Sequence, residues 1–255
     1  MKLSIKKIIG YAIKGEGGVK GKVKDFLFDE DSWVVRYLDG DFGINSLERR
    51  VLLPRTLLKD SDWINKDLLI GLNKTEIEKC PPLQDDLPVS KVYENALLAY
   101  YKTKDYWSRS YYPPVDGSEI KHLGKPQNGP SKINVPSKIA NEKDLATNLR
   151  SFTEIIGYQI EALDGVIGRI DDLIIEESDW RICYVIVETR NWFSSKKVLI
   201  GTLWMDDISY VDRTIKINLA IESVKSAPPF DASKVIDQAY EVELSNYYSR
   251  SKTPR

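Results

Sequence analysis

The chain has 255 residues, of which 42% are hydrophobic and 29% charged, and its formal net charge is −1 at pH 7. Acidic and basic residues are mixed along the sequence, so no overall field favours a nucleic-acid backbone, and we expect no nucleic-acid partner. The charged start, MKLSIKK, is not followed by an apolar segment as long as a secretory signal or a membrane span requires. We therefore expect a cytoplasmic protein without a transmembrane segment.

The sequence repeats itself with a displacement of 147 positions. Ile8-Ile9-Gly10-Tyr11 returns as Ile155-Ile156-Gly157-Tyr158, and the same displacement then holds without a gap. Matched pairs include Asp25 and Asp172, Trp33 and Trp180, Tyr37 and Tyr184, Pro81 and Pro228, and Tyr100 and Tyr247. Roughly one position in four is identical over residues 8–101, a register long enough to predict an internal duplication.

This repeat predicts three parts: a first copy over residues 1–101, a linker over 102–153 and a second copy over 154–250. The first copy is the degenerate one, because Leu38-Asp39-Gly40-Asp41 stands where the second copy has the apolar run Val185-Ile186-Val187. We expect its third strand to be shorter for this reason.

Each copy continues into a Pro-Pro break and an amphipathic helix. The apolar positions of the first helix follow a three-four spacing: Val89, Val92, Tyr93, Ala96, Leu97, Tyr100 and Tyr101. Those of the second are Ile236, Ala239, Tyr240, Leu244, Tyr247 and Tyr248. Helices this short need packing to be stable, so each should dock on a β-barrel, and the spacing leaves open which one.

The linker, residues 102–153, is rich in Pro, Gly, Ser, Lys and Asn. Its first part carries Trp107, Tyr111 and Tyr112, which is too aromatic for a freely solvated tether. We expect this part to lie on a protein surface, either the chain's own barrels or a partner.

The second copy reads as a series of short strands. Asp164-Gly165 separates two apolar runs and predicts a tight hairpin. The runs 184–188 and 197–200 predict two further strands joined by a longer loop, with Trp192 and Phe193 near its tip. Closing such short strands into a barrel would remove their exposed edges.

The second copy resembles the PRC-barrel family, named after the cytoplasmic domain of the photosynthetic reaction-centre H subunit. The resemblance lies in three segments: GVIGRI at 165–170, Trp180 with YVIV at 184–187, and KKVLI at 196–200. It implies two small β-barrels, the first through the duplication, each followed by its α-helix. It also implies two precedents for function, a barrel set against membrane-embedded subunits and the ribosome maturation factor, whose barrel binds a ribosomal protein.

No catalytic or metal-binding constellation stands out. The single histidine, His122, lies in the linker, and Cys80 and Cys183 are too few and too separate for a disulfide framework or a zinc site. Asp171, Asp172, Glu176 and Glu177 would suit acid–base work only if one of them were buried with a raised pKa. For Asp172 and its counterpart Asp25 the preferred interpretation is a structural role near the barrel rim, bonded to the backbone or paired with a base. We expect no enzyme activity, no cofactor and no metal.

The leading hypothesis is a non-enzymatic binding or scaffold protein with an unidentified protein partner. Trp192, Phe193, Trp107, Tyr111 and Tyr112 are the candidate interaction residues, since aromatic anchors are favoured at interfaces. One alternative is an enzyme or small-ligand sensor with a site between the barrels. Another is RNA contact through Arg49-Arg50 and Lys196-Lys197, which would have to share one face. The sequence leaves open the oligomeric state and peripheral association with a membrane complex.

Overall fold

The computed structural model describes residues 1–43, 49–59, 61–83, 89–103, 147–189 and 196–250. Within them the chain is mainly β-structure, arranged as two mixed sheets with a few helices. The strands are β1 Lys2–Ser4, β2 Ala12–Lys14, β3 Lys20–Asp29, β4 Val34–Asp41, β5 Arg50–Pro54, β6 Asp67–Leu69, β7 Leu149–Ser151, β8 Gln159–Ala162, β9 Gly165–Glu176, β10 Ile182–Thr189, β11 Lys196–Gly201, β12 Met205–Ser209 and β13 Thr214–Ile217. The α-helices are α1 Ile5–Ile8, α2 Lys74–Lys79, α3 Lys91–Tyr101, α4 Phe152–Ile155, α5 Ile221–Lys225 and α6 Gln238–Arg250.

The two sheets share one arrangement. The first has the order β5-β4-β3-β2-β6, and the second has the order β11-β10-β9-β8-β13-β12. Their pairs are antiparallel except β2 with β6 and β8 with β13, which are parallel. Neither strand order closes on itself within the described residues, so the closed barrels stay a prediction.

The long strand β9 shows why these segments form sheets. Buried and less buried residues alternate from Gly168 to Asp172, and the residues from Asp172 to Ile175 are continuously buried. Glycine is required at Gly168, because a Cβ there would lie 2.2 Å from the carbonyl oxygen of Glu188 on β10. As predicted, β8 and β9 pair as antiparallel strands on either side of Asp164-Gly165.

The prediction of a shorter third strand in the first copy is wrong. Strand β4 has eight residues, as does β10, and its polar centre continues the ladder with β5. Asp39 is fully buried there, but its carboxylate accepts hydrogen bonds from Arg50, which lies on the neighbouring strand β5. Gly40 leaves room for Ile13, whose side chain would lie 2.7 Å from a Cβ at that position. A buried aspartate with an ion-pair partner and a glycine that makes room for a neighbour can therefore continue a strand where the apolar pattern does not indicate one.

The two copies exchange their first strands. Strand β1, at the start of the first copy, pairs with β9 of the second sheet, with Leu3 opposite Ile175. Strand β7 pairs in the same way with β3 of the first sheet, with Arg150 opposite Phe28. Every paired position in one ladder is 147 residues from its counterpart in the other, so the exchange is reciprocal.

Two buried carboxylates hold the exchanged segments in place. Asp172 accepts hydrogen bonds from the hydroxyl of Ser4 and from the backbone N–H of Lys6, 2.9 Å away. Asp25 does the same for Ser151, at 2.5 Å, and for the backbone N–H of Thr153, at 3.0 Å. Each carboxylate also accepts from the N–H of the next residue on its own strand. The aspartates thus have the structural, backbone-bonded role preferred from the sequence.

A second set of hydrogen bonds joins the sheets at the pseudo-two-fold centre. The N–H of Val35 donates to the carbonyl of Trp180 at 3.0 Å, and the N–H of Ile182 donates to the carbonyl of Trp33 at 2.7 Å. Both tryptophans have left-handed backbones, with φ values of 53° and 60°, and both are 8% exposed. Such backbones are costly for large residues, so packing and the flanking hydrogen bonds must maintain them.

The exchange moves one predicted boundary. Leu149–Ser151 forms β7 and Phe152–Ile155 begins α4, so the second copy starts before Thr153, where the sequence places the end of the linker. By contacts the chain forms two compact units, one of Met1–Pro88 with Asn148–Arg255 and one of Val89–Thr147. Both sheets belong to the first unit, because the exchanged strands join the parts that the sequence divides at the linker.

The C-terminal helices follow the predicted apolar stripes only in part, because Val92 is 65% exposed while Glu94 is buried, and Ile236 precedes the second helix. On α6, Leu244 and Tyr248 are buried, and the hydroxyl of Tyr248 donates to the carbonyl of Leu199 on β11 at 2.9 Å. Helix α6 therefore packs on the second sheet. Helix α3, in the other compact unit, begins with Ser90 as its N-cap and has Leu97 fully buried.

The exchange is open to a direct test by cross-linking. With Cys80 and Cys183 replaced by alanine, the pair Leu3→Cys and Ile175→Cys should form an intrachain disulfide, because directly opposed antiparallel residues lie within disulfide range. The pair Leu3→Cys and Phe28→Cys is the control, since it would be opposed only without exchange. Non-reducing electrophoresis and peptide mapping read out both. A disulfide in the control pair alone would contradict the exchange, and a covalent dimer would show that it occurs between chains.

The carboxylate anchors predict a contrast between two adjacent residues. Asp172→Ala leaves three donors without an acceptor in a buried place, and we expect it to lower the free energy of unfolding by about 2–3 kcal/mol. Asp171→Ala removes only surface ion pairs with Lys6 and Lys197, and should cost about 1 kcal/mol or less. Urea denaturation measures both. Equal losses would remove the special role of Asp172.

Candidate functional site

The aromatic residues singled out from the sequence lie outside the described residues. This applies to Trp107, Tyr111 and Tyr112 in the linker and to Trp192 and Phe193 between β10 and β11. It also applies to His122. Their role in binding stays a prediction.

A surface cleft lies where the first copy meets the turn between β9 and β10. We name it the Trp63 cleft, and its volume is about 450 Å³. Residues from both copies line it: Met1, Leu58, Lys59, Ser61, Trp63, Glu177, Ser178 and Trp180. Its walls therefore combine two indole rings with a carboxylate, and they exist only because the two copies are in contact.

Trp63 is held on a rigid turn that leads into β6. Asp62 and Asp67 exchange two backbone hydrogen bonds of 2.9 Å across this turn. Asn65 donates to the Asp62 carboxylate through its backbone N–H, at 3.0 Å, and through its side-chain amide, at 2.7 Å. These hydrogen bonds hold the pKa of Asp62 below its usual range. The turn closes with Lys66 in the left-handed region, at φ 61°.

Glu177 faces Trp63 from the opposite wall. The indole N–H of Trp63 donates to Oε1 of Glu177 at 2.5 Å. The backbone N–H of Glu177 donates to the carbonyl of Met1 at 2.9 Å. The turn that carries it is fixed on the far side by Arg55, whose guanidinium donates to the carbonyl of Asp179 at 2.5 Å. The Glu177 side chain is still 38% exposed, so its carboxylate is positioned but accessible from the cleft.

The equivalent place on the other side of the molecule is occupied by a cation. A displacement of 147 takes Trp63 to Tyr210 and Leu3 to Arg150, and it relates Glu177 to Glu30. The Arg150 guanidinium carbon lies 4.1 Å from the centroid of the Tyr210 ring. Its Nη2 donates to Oε1 of Glu30 at 2.6 Å, and its Nε pairs with the other carboxylate oxygen. An aromatic ring and a glutamate thus hold an arginine on one side, whereas the Trp63 cleft has Leu3 at the corresponding position of β1.

The paired bases considered for RNA contact are engaged within the fold. Lys197 pairs with Asp171 at 2.7 Å, and Lys196 donates to the carbonyl of Ala227 at 2.8 Å. Arg50 pairs with Asp39, and Arg49 donates to the carbonyl of Glu78 at 2.8 Å. Each of the four side chains has a partner, and two of the partners are carboxylates, so nothing in these contacts supports a nucleic-acid surface.

The acidic residues of β9 separate into two classes. Hydrogen bonds from Lys2 lower the pKa of Glu176 to about 2, and Asp171 also titrates below its usual range because hydrogen bonds from Lys197 and Lys6 outweigh its burial. Burial instead raises the pKa of Asp172, against its hydrogen bonds from Ser4, Lys6 and Leu173. Asp25 behaves in the same way. The raised pKa values of Asp172 and Asp25 thus belong to the anchors of the strand exchange, away from the Trp63 cleft.

A second surface feature lies along α6. A groove of about 370 Å³ runs between the helix and the second sheet, and its walls include Trp204, Leu244 and Tyr248. Leu203 and Val242 border it and are 79% and 54% exposed. At one end the hydroxyl of Tyr184 donates to Glu241 at 2.9 Å, and Glu241 also pairs with Lys2 of β1 at 3.0 Å. The groove is therefore apolar, with a polar closure at the exchanged strand.

Sequence reasoning missed the Trp63 cleft. Trp63 and Glu177 are 114 positions apart, and only the fold brings them together. A usable signal was nevertheless present in the repeat: at the aligned positions Trp63 stands opposite Tyr210 and Leu3 opposite Arg150. Differences between copies at otherwise matched positions point to the place where the two sides have diverged.

The fold and the surface features define a mainly β chain with candidate binding surfaces. Residues 148–222 match the family model of the PRC-barrel domain. A search of curated proteins finds no match. In the described ranges no helix is both long and apolar enough to cross a bilayer. Across those same ranges, no group of three or more histidine, cysteine or acidic side chains is arranged to hold a metal ion.

The raised pKa of Asp172 predicts how stability depends on pH. A carboxyl whose pKa is higher in the folded than in the unfolded state binds more protons when folded, so its contribution is complete below about 3.8 and is lost as pH rises through the folded pKa. Asp172→Asn keeps an acceptor but does not titrate. We expect wild type to lose stability relative to Asp172→Asn between about pH 4 and pH 7 in urea denaturation. A relative gain over that interval would mean that the hydrogen bonds outweigh burial.

Proposed function

We propose that the chain is a non-enzymatic binding protein that carries two PRC-barrel copies and associates with a protein partner. The proposal rests on one observation above all, the Trp63 cleft, whose fixed aromatic and carboxylate groups are open at the surface. Aromatic side chains with exposed faces are the usual anchors of protein interfaces. The family match over residues 148–222 is compatible with such a role.

The duplication is part of the same proposal. The two bridging hydrogen bonds and the two carboxylate anchors recur at a displacement of 147, which supports two copies of one module. The strand bounds recur to within two residues, except that β12 has no counterpart among the described strands of the first sheet. In this view each copy is a small PRC-type barrel with a C-terminal helix. The family match covers the second copy, and the first copy enters the proposal through the repeat.

The α6 groove supports binding of a larger partner. Leu203 and Val242 expose apolar side chains beside a groove whose floor is already apolar. Exposed apolar groups that border a concave surface mark interaction sites more often than isolated ones do. The partner would therefore contact more than the Trp63 cleft alone.

A small-ligand sensor is the second candidate. The volume of the Trp63 cleft, about 450 Å³, falls within the range of small-molecule sites. Its two tryptophans and its carboxylate would then serve to orient a ligand rather than a partner's side chain. A partner protein and a small ligand are distinguished by what the full chain retains from a size-fractionated extract.

Affinity capture with the full chain tests the proposal. A tagged protein should enrich a defined partner, and the double variant Trp192→Ser with Phe193→Ser should lose it while its thermal unfolding stays close to wild type, because interface anchors carry most of the binding energy. Val235→Ser is the matched control, since Val235 is 82% exposed and lies outside both surface features. Loss of the partner by the control as well, or unfolding of the double variant, would contradict the assignment of Trp192 and Phe193 as anchors. If no protein is enriched, partner binding itself is refuted.

A further inference from the structure

The internal symmetry identifies what the Trp63 cleft lacks. On the side of Tyr210 the aromatic ring, the glutamate and the exchanged strand form a complete set, with the Arg150 guanidinium both stacked and ion-paired. On the side of Trp63 the ring and the glutamate are kept, but the exchanged strand supplies Leu3. Leucine is shorter and uncharged, so no side chain of β1 stacks a cation on Trp63 and pairs it with Glu177, and the cation that lies near the Glu177 carboxylate is the amino group of Met1, at 3.6 Å.

From this comparison we infer that the Trp63 cleft binds the guanidinium group of an arginine side chain from a partner protein. The inference deepens the proposed function and rests on it. Guanidinium is planar, stacks on indole faces and pairs with a carboxylate through two N–H groups, which is the geometry that Arg150 shows with Tyr210 and Glu30. Trp63 is the larger aromatic surface of the two, and tryptophan is the best ring for such stacking.

The charges around the cleft leave Glu177 accessible to an incoming cation. Lys59 lines the cleft, but its ammonium group pairs with Glu16 at 2.9 Å. The amino group of Met1 is 3.6 Å from Glu177 and closer to Glu176, at 2.6 Å. Lys2 is directed to Glu176 and Glu241. Glu177 therefore has the indole N–H of Trp63 as its short side-chain contact, and its carboxylate still faces the opening.

The cleft can be tested with a small probe on the full chain. The sequence has six tryptophans, so the ¹H–¹⁵N spectrum should contain six indole signals, and Trp63→Phe identifies the one of interest. A blocked tripeptide with arginine between two glycines should shift that signal saturably, with a dissociation constant of about 1–10 mM, as expected for one side chain. The same tripeptide with citrulline, which keeps the shape without the charge, should not. The lysine tripeptide should bind more weakly, because an ammonium group does not stack in the same way.

Two variants locate the binding. Glu177→Gln should weaken the arginine tripeptide by roughly tenfold or more, because a charge-assisted contact is lost. Leu3→Arg should abolish binding, because β1 would then carry an arginine at the position equivalent to Arg150 of β7, and its guanidinium group would compete with the tripeptide for Trp63 and Glu177. Leu163→Arg, at a leucine that is 66% exposed elsewhere, adds the same charge without blocking, and Asp206→Asn removes an exposed carboxylate outside the cleft. Both controls should bind as wild type does.

The inference and the proposed function fail differently. No saturable shift of the Trp63 signal up to about 20 mM tripeptide, or equal shifts with citrulline, would overturn the arginine site. Binding that persists in Leu3→Arg would also overturn it, because the cation would then lie elsewhere. In each of these cases capture of a protein partner by the full chain is unaffected. If tripeptide binding holds while no protein is captured, the failure belongs to the proposed function.

Discussion

The reciprocal exchange of β1 and β7 is the constraint on which the remaining structure depends. Each exchanged strand is only three residues long and makes one short ladder, which is too little to fix its place alone. The buried carboxylates of Asp172 and Asp25 supply the rest, because each gathers a hydroxyl and a backbone N–H from the incoming segment. A buried carboxylate is costly unless its hydrogen bonds are satisfied, so folding of each sheet is coupled to arrival of the strand from the other copy.

The same exchange creates the cleft and determines how it is filled. Strand β1 runs beside β9 and ends the ladder next to Glu176, and the following residue, Glu177, faces Trp63. Strand β7 runs beside β3 in the same register and brings Arg150 to Glu30. The residue at one position of a three-residue strand therefore determines whether the strand itself supplies a guanidinium group to the aromatic ring and the carboxylate, as Arg150 does, or does not, as with Leu3. Divergence of that position could change binding without disturbing the anchors, since Ser4 and Ser151 are identical.

Part of this architecture could be read from the sequence, and the reasons for the rest are physical. The displacement of 147 and the alternation of apolar residues locate the hairpin at Asp164-Gly165 and the C-terminal helices, because turn residues and helical periodicity act locally. The exchange of strands leaves no signal in the local sequence. The strand that would pair with Leu3 within its own copy, β3, and the strand that does pair with it, β9, have similar sequences. For the same reason Leu149–Ser151 looked like the end of a linker, since three residues are too few to show a period of two. The length of β4 depends on Asp39 meeting Arg50, a contact between strands that the apolar pattern does not contain.

The Trp63 cleft could not be predicted from the sequence for a related reason. Sequence reasoning gave weight to adjacent aromatic residues at a predicted loop tip, Trp192 and Phe193, whereas Trp63 has no aromatic neighbour in sequence and meets Glu177 only in the fold. The sequence repeat offers a comparison within the chain, however, because the structural anchors are the same in both halves while Trp63 and Leu3 differ from their counterparts Tyr210 and Arg150. Asp25 and Asp172 are identical and buried, so selection on the fold accounts for them. Leu3 stands where the other half of the repeat has Arg150, whereas the glutamate is the same in both halves, so under the proposed arginine site Glu177 and Trp63 would receive their guanidinium group from outside the chain.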